Sequence, residues 1–255
     1  MQAVVDFAGR RPILFFLVLT CLVSLPFVLF PALDLAFSRM FFSARGGFTG
    51  SSHPFLRAVR DAGELALKGI GTICLVSLVY PLLVGRAKYL LKPRDALFLA
   101  TSLILGPGLI VNSFLKEFWG RARPREIVEF GGSLPFSRAW EIVSHCPSNC
   151  SFTSGEGASS IWMMALVVLV PAAFRLPAAL GIFLFATALS LNRIVFGGHF
   201  LSDVLLSWTI TLSVIALCHH YFYRGAITEE GVDRWFDRAR DFLRAPFRLL
   251  FGKKG

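Results

Sequence analysis

Long apolar runs leave this chain little choice of fold class. A helix needs about 20 predominantly apolar residues to cross the ~30 Å hydrocarbon core of a bilayer. Six stretches come near that length: about Ile13–Ala32, Gly69–Gly85, Ala96–Phe118, Ala158–Phe174, Ala178–Phe196 and Phe200–Tyr223. Composition agrees, with 55% apolar and only 16% charged residues, where a soluble domain carries about 25% charged. The expectation is an all-α membrane protein: six transmembrane helices in a bundle, with peripheral amphipathic helices. Residues 1–222 form the six-span domain, and 223–255 form a basic amphipathic cytoplasmic tail.

Internal Gly and Pro, such as Gly106-Pro107-Gly108, are tolerated because neighbouring helices satisfy the freed backbone groups. The first run follows Arg10-Arg11 as the core of a signal peptide would. It is long for that role and lacks an A-x-A site, so it reads as a retained span. Short links at 175–177 and 197–199 make the last three spans a tight antiparallel set. Residues 53–69 place Phe55, Leu56, Val59, Ala62, Ala66 and Leu67 at helical spacing and read as an amphipathic helix on the outer interface. In the tail, Val232, Trp235, Phe236, Ala239, Phe242 and Leu243 make one face. The arginines opposite suit anionic inner-leaflet lipids.

The net charge of +10 does not point to nucleic acid, because many basic residues sit at the ends of apolar runs. Basic residues favour the cytoplasmic side. With both termini cytoplasmic the bias is weak. It becomes clear once Lys116, Arg121, Arg123, Arg125, Arg138 and Arg193 are set aside as ligand groups. That orientation faces the cluster outward. The stretch KEFWGRARP, residues 116–124, sets the choice sharply. Cations are costly in hydrocarbon, so these either anchor a span at the headgroups or hold an anion.

Three segments map to that outward side. The first is Lys116 to Pro124. The second is CSFTSGEGASS, residues 150–160, where Ser154 and Gly155 precede a helix start whose free N–H groups suit an anion. The third is LNRIVFGGHFLSDV, residues 191–204, in which His199 and Asp203 are four apart and share a helix face. Lys116, Arg123 and Arg193 supply charges that fit phosphate oxygens. A His held by an Asp has one nitrogen fixed as donor, leaving the other lone pair free to attack. Taken singly, each feature has an ordinary explanation: a headgroup anchor, a helix cap, an interfacial His. Their conjunction at one depth is what points to a site.

The pattern Lys116-x6-Arg123-Pro124, Ser154-Gly155 and Arg193-x5-His199-x3-Asp203 resembles the three-part signature of the type 2 phosphatidic acid phosphatase superfamily. Its membrane branch has six spans, and its soluble branch includes vanadium haloperoxidases. The resemblance implies that 1–222 is a lipid phosphatase domain. His199 is implied as the nucleophile that forms a phosphohistidine, with Asp203 orienting it. Lys116, Arg123, Ser154, Gly155 and Arg193 are implied to bind phosphate, and no metal or other cofactor is implied. Two positions depart from the family pattern. Glu156 stands where the family has the His that donates a proton to the leaving group, and Asn192 stands where it has Ser. A Glu can donate only if burial or a nearby anion keeps it protonated. Nearby cations push the other way, so Glu156 is either the catalytic acid, which is the expectation, or a ligand for a substrate sugar or amine, with His145 then supplying the proton.

An outward site at the bilayer edge suits a phosphate on a lipid. The loop FFSARGGF, residues 41–48, and the CSFTSGE variant are similar to bacterial lipid A phosphatases. The implied partners are membrane phospholipid or lipid A, and the implied location is the bacterial inner membrane with the site facing the periplasm. Competing readings are a lipid-to-lipid phosphotransferase, an intramembrane serine protease using Ser154 and His199, and a lipid-binding protein without activity. The protease leaves the three cations unexplained, and the binder does not need the His199–Asp203 pair. Cys146 and Cys150 share an outward loop and could pair in an oxidising compartment.

Overall fold

A computed structural model describes residues 10–83 and 90–251. The first residues of the expected 1–222 domain, residues 84–85 of the second expected span and residues 252–255 of the tail lie outside them. Among the described residues the chain is all-helical. Helix α1 is Pro12–Leu29 and α2 is Ala32–Arg39. They are followed by α3, Pro54–Leu83, and α4, Pro93–Phe118. Next come α5, Gly155–Leu169, and α6, Arg175–Val195. The last two are α7, Leu201–His219 with a wider turn to Arg224, and α8, Glu229–Phe251.

Among the described residues, five helices are long and apolar enough to cross a membrane: α1, α3, α4, the stretch Ala172–Val195 containing α6, and α7 through Arg224. The fourth expected span differs. Instead of running to Phe174, α5 is α-helical for 8 residues, tightens into a 3-10 helix over Met163–Leu169 and stops before Pro171. The amphipathic segment expected to lie flat is also different. It forms the first turns of α3, continuous with the second span, because nothing between His53 and Pro81 breaks the helix. Apolar side chains on α1, such as Leu14, Leu17, Leu22 and Leu25, are exposed. That is the pattern of a lipid-facing surface rather than of a soluble domain.

The chain forms two compact units. The first contains residues 1–67 and 102–216, and the second contains 68–101 and 217–255. In the first unit α7 is the most buried of these helices, with Val204, Leu206, Ser207, Thr211 and Val214 all buried. α4 is unwound to an i→i+5 pattern over Ile104–Leu115. Pro107 cannot donate a backbone hydrogen bond, and two of the polar residues in this apolar run satisfy carbonyls instead. Asn112 Nδ2 donates to the Pro107 carbonyl (2.7 Å) and Ser113 Oγ to that of Gly108 (3.2 Å). Between α4 and α5 the chain makes a long loop, 119–154, held by two aromatic clusters. Phe152 packs between Trp119 and Trp140 (5.5 and 5.0 Å between ring centres) beside Phe27, Leu115 and Leu206. Phe130 packs with Phe42, Phe48 and Phe200.

The second unit is tied by polar contacts at the start of α8. Glu229 pairs with Lys92 (2.8 Å) and Arg94 (3.4 Å), and the Tyr223 hydroxyl donates to Asp95 (2.7 Å). Val232 and Phe236 of α8 are buried, whereas Trp235, Phe242 and Leu243 are exposed.

Candidate active site

A polar cavity of about 440 Å³ opens in the first unit. Six cations line it: Arg57 and Arg60 from α3, Lys116 from the end of α4, Arg123 and Arg125 from the loop, and Arg193 from the end of α6. Glu156 is the carboxylate among the lining residues, and His199 forms part of the wall. The three separated sequence segments therefore meet. α4 and α6 bring their charged residues to the cavity, and α5 and α7 begin there.

His199 follows the turn Gly197-Gly198. Gly197 takes φ +60°, a conformation that a side chain makes costly, and a Cβ there would strike the Phe48 ring. The imidazole is almost fully buried. Its Nδ1 lies 2.7 Å from the Ser151 carbonyl oxygen. A carbonyl can only accept, so Nδ1 carries the proton and Nε2 keeps the lone pair. Burial, then Arg193, Lys116 and Arg123, hold the His199 pKa well below its ordinary 6.5. The ring is a neutral base at neutral pH.

Asp203 sits 3.9 Å from Nδ1, beyond hydrogen-bond reach, so the direct pair expected from the i, i+4 spacing is not made. Ser151 stands between them, its Oγ donating to Asp203 Oδ2 (2.6 Å). Asp203 also accepts from the Phe200 N–H (2.8 Å) and from Arg121 Nη1 (2.6 Å). Arg121 neither anchors at a headgroup nor lines the cavity. It is fully buried, with its second fork on Asp34 (2.8 Å) and Nε on the Ser137 carbonyl (3.0 Å). Burial works against its charge, but Asp203 and Asp34 outweigh it and hold the pKa above the usual arginine value.

Arg123 is gripped by Asn149: Nη2 donates to the backbone carbonyl (2.6 Å) and to Oδ1 (3.0 Å). Burial, then the neighbouring Arg125, pull the Arg123 pKa down, against Glu126, Asp203 and Glu156. Glu156 bridges two arginines, with Oε1 3.2 Å from Arg60 Nη2 and Oε2 3.3 Å from Arg193 Nε. Ser154 caps α5, its Oγ accepting from the Gly157 N–H (3.1 Å). Gly155 lines an adjoining, mostly apolar cavity that shares Arg60, Lys116 and Glu156 with the first. His145 lies in the loop and lines neither of these cavities. Cys146 and Cys150 are disulfide-bonded, enclosing Asn149 in their ring. Asn192 donates to the Leu56 carbonyl and so ties α6 to α3.

Asp34, Arg60, Asn149 and Ser151 had no assigned role in the sequence. Asp34 carried a usable signal, as a solitary carboxylate in the apolar stretch PALDLAF. The other three are polar residues in polar surroundings, and only the fold shows what they touch.

A cationic, membrane-associated pocket with a neutral imidazole in its wall defines a phosphate-handling class of protein, and the whole sequence points the same way. Residues 95–226 match the PAP2 superfamily, and the chain belongs to that family. Among curated proteins it is 34% identical over 204 residues to the lipid A 4'-phosphatase of Rhizobium leguminosarum, covering 73% of this chain and 86% of that one. It is 34% identical to the Rhizobium etli protein of the same description (73% and 78% covered). The Francisella tularensis subsp. novicida lipid A 4'-phosphatase is 33% identical (70% and 81% covered). No solved structure matches this chain.

Proposed function

We propose that this protein is a membrane lipid phosphate phosphohydrolase that works through a phosphohistidine on His199, with the 4'-phosphate of lipid A as its substrate. The observation that carries the reading is the bond from Nδ1 to the Ser151 carbonyl, which leaves Nε2 unprotonated in the wall of a six-cation cavity. Lys116, Arg123 and Arg193 hold the phosphate oxygens and offset the charge that builds on them. Ser154 and the Gly155 N–H stand at the start of α5 beside them. Nε2 attacks phosphorus and the bond to the lipid oxygen breaks. Glu156 gives that oxygen its proton. Water then attacks the phosphohistidine, passes a proton back to Glu156 and releases inorganic phosphate.

Glu156 suits the acid role because of what substrate does to its partners. A phosphate arriving at Arg193 takes one of the two cations the carboxylate holds and sets an anion beside it. Glu156 also stands where the cationic cavity joins the apolar one, the place for a leaving group attached to a lipid.

The site faces the periplasm from the bacterial inner membrane, with both termini cytoplasmic. α5 serves as a sixth, short span: eight α-helical and seven 3-10 residues rise about 26 Å at roughly 1.5 and 2.0 Å each, close to the ~30 Å core. Residues 1–222 are the catalytic domain, and the tail from 223 lies on anionic inner-leaflet lipid. The test is phosphate release from purified lipid A, phosphatidic acid, phosphatidylglycerophosphate and undecaprenyl diphosphate, without added divalent metal. Release from the 4' position of lipid A, lost in His199→Ala that still inserts, is the expected result. Turnover retained by His199→Ala refutes the mechanism, and preference for another lipid refutes the substrate.

A further inference from the structure

We propose that Ser151, backed by Arg121 and Asp34, is the positioning residue through which Asp203 acts on His199. This rests on the reading of His199 as nucleophile. The carboxylate is 3.9 Å from the ring and does not orient it directly. Ser151 uses all of its polar groups and is inaccessible to solvent. Its N–H donates to the Arg121 carbonyl (2.8 Å), its Oγ to Asp203 Oδ2 (2.6 Å), and its carbonyl accepts from His199 Nδ1 (2.7 Å). The carbonyl fixes both the tautomer and the direction of the ring, and Asp203 fixes the residue that bears the carbonyl.

Asp203 is fixed in turn. Arg121 forks between Asp203 and Asp34, and its guanidinium lies 4.2 Å from the centre of the Phe200 ring. Asp34 also accepts from the N–H and the hydroxyl of Ser202. The backbone between these contacts, Phe200 to Asp203, starts immediately after His199. One buried lattice therefore holds the nucleophile from its own helix and from loop 119–154 at once. When Nε2 takes the phosphoryl group, Nδ1 keeps its proton and the ring becomes positive, which the Ser151 carbonyl dipole on Nδ1 favours. None of Ser151, Asp203, Arg121, Asp34 and Ser202 lines either cavity, and the lattice meets the phosphate-binding segment through the Ser154 N–H on the Asp203 carbonyl (3.2 Å), so its main effect falls on the chemical step rather than on anion binding.

The test separates those two effects. Ser151→Ala removes the hydroxyl and leaves the backbone carbonyl, and Ser151→Thr retains the hydroxyl. Each variant is assayed with lipid phosphate and nitrophenyl phosphate, and with inorganic phosphate as competitive inhibitor. Active sites are counted by trapped phosphohistidine. Ser151→Ala is expected to lose about 10-fold in kcat per active site, the scale of one hydrogen bond to a charged group. The inhibition constant for inorganic phosphate should stay within about 2-fold, and Ser151→Thr should recover most of kcat. A merely structural serine would lower yield without changing kcat per site, and that outcome overturns the proposal, as does an equal loss of phosphate affinity. Should Ser151→Ala fail to fold, Arg121→Lys, which keeps the charge but loses the fork, makes the same discrimination. A wild-type protein that releases no phosphate sinks the phosphatase reading itself. An active wild type with unaffected variants sinks only the role of Ser151.

Discussion

Removing Asp34 should destabilise this protein by an amount out of proportion to its distance from the cavity. Asp34 and Arg121 are both inaccessible, and their 2.8 Å contact is part of a three-charge array with Asp203. Asp34→Ala strips one fork from the guanidinium and also orphans the Ser202 N–H, which donates to Oδ1 (2.9 Å). Breaking a buried pair from one side costs about 3–5 kcal/mol where the remaining charge is left unpaired; Arg121 keeps Asp203 (2.6 Å), so the lower end of that range applies. An orphaned buried donor costs about 1–3 kcal/mol on its own. Part is recovered if water reaches the gap, so about 3–5 kcal/mol is the expected total. Arg121→Met alone should cost a similar amount, since it leaves two like charges in one buried space. The double variant should be less damaged than the sum of the single ones, by about 2 kcal/mol or more. The assay is thermal and denaturant unfolding in one detergent across this cycle. A cost below about 1 kcal/mol for Asp34→Ala, or simple additivity, would refute the claim that these charges form one unit.

Glu156→Gln keeps the size of the side chain but cannot give up a proton. It should slow release from an alkyl or sugar phosphate about 100-fold, within the range for a lost general acid, and slow nitrophenyl phosphate only about 3-fold. Equal losses on both substrates would remove Glu156 from the acid role. The pH dependence of the proposed mechanism follows from His199, whose attacking form is neutral. With its pKa held well below 6.5 by burial and by Arg193, Lys116 and Arg123, the enzyme keeps its nucleophile as pH falls through 6.5. After correction for the substrate phosphate, which titrates near about 6, the acid limb of kcat/KM should lie below 6.5. Arg193→Gln removes a neighbouring positive charge and should move that limb upward, at a lower rate. A wild-type limb at or above 6.5 contradicts the site electrostatics.

The helices were legible because length and hydropathy govern them almost alone. The seam between the outer segment and the second span was not. Residues 53–69 have an amphipathic face whether they lie flat or continue upright, and only the absence of a breaker before Pro81 decides it. The shortening of α5 was hidden for a similar reason, since an apolar run does not announce its winding. Of the candidate site, Lys116, Arg123, Arg193 and His199 could be found because their spacing is fixed by helix ends, whereas Arg57 and Arg60 of α3 reach the cavity only through the fold. The contact between His199 and Asp203 could not: i, i+4 spacing sets two residues on one face but does not choose between a direct bond and one routed through Ser151. Arg121 was seen as part of a cluster, yet the three cations of one short stretch part ways: Lys116 and Arg123 reach the cavity, Arg123 held there by Asn149, and Arg121 enters the core.

The match to the superfamily begins only at residue 95, while Asp34 and Arg60 lie well before it. A shortened protein that kept every signature residue would still lack the counter-charge behind Arg121 and the second arginine on Glu156. The N-terminal third of the chain therefore cannot be exchanged as though it were a generic membrane leader. Grafts that replace the first helix must keep Ser24 and Phe27, which hold Trp140 and Phe152 of loop 119–154, and any junction near Asp34 disturbs the buried charges behind the candidate site.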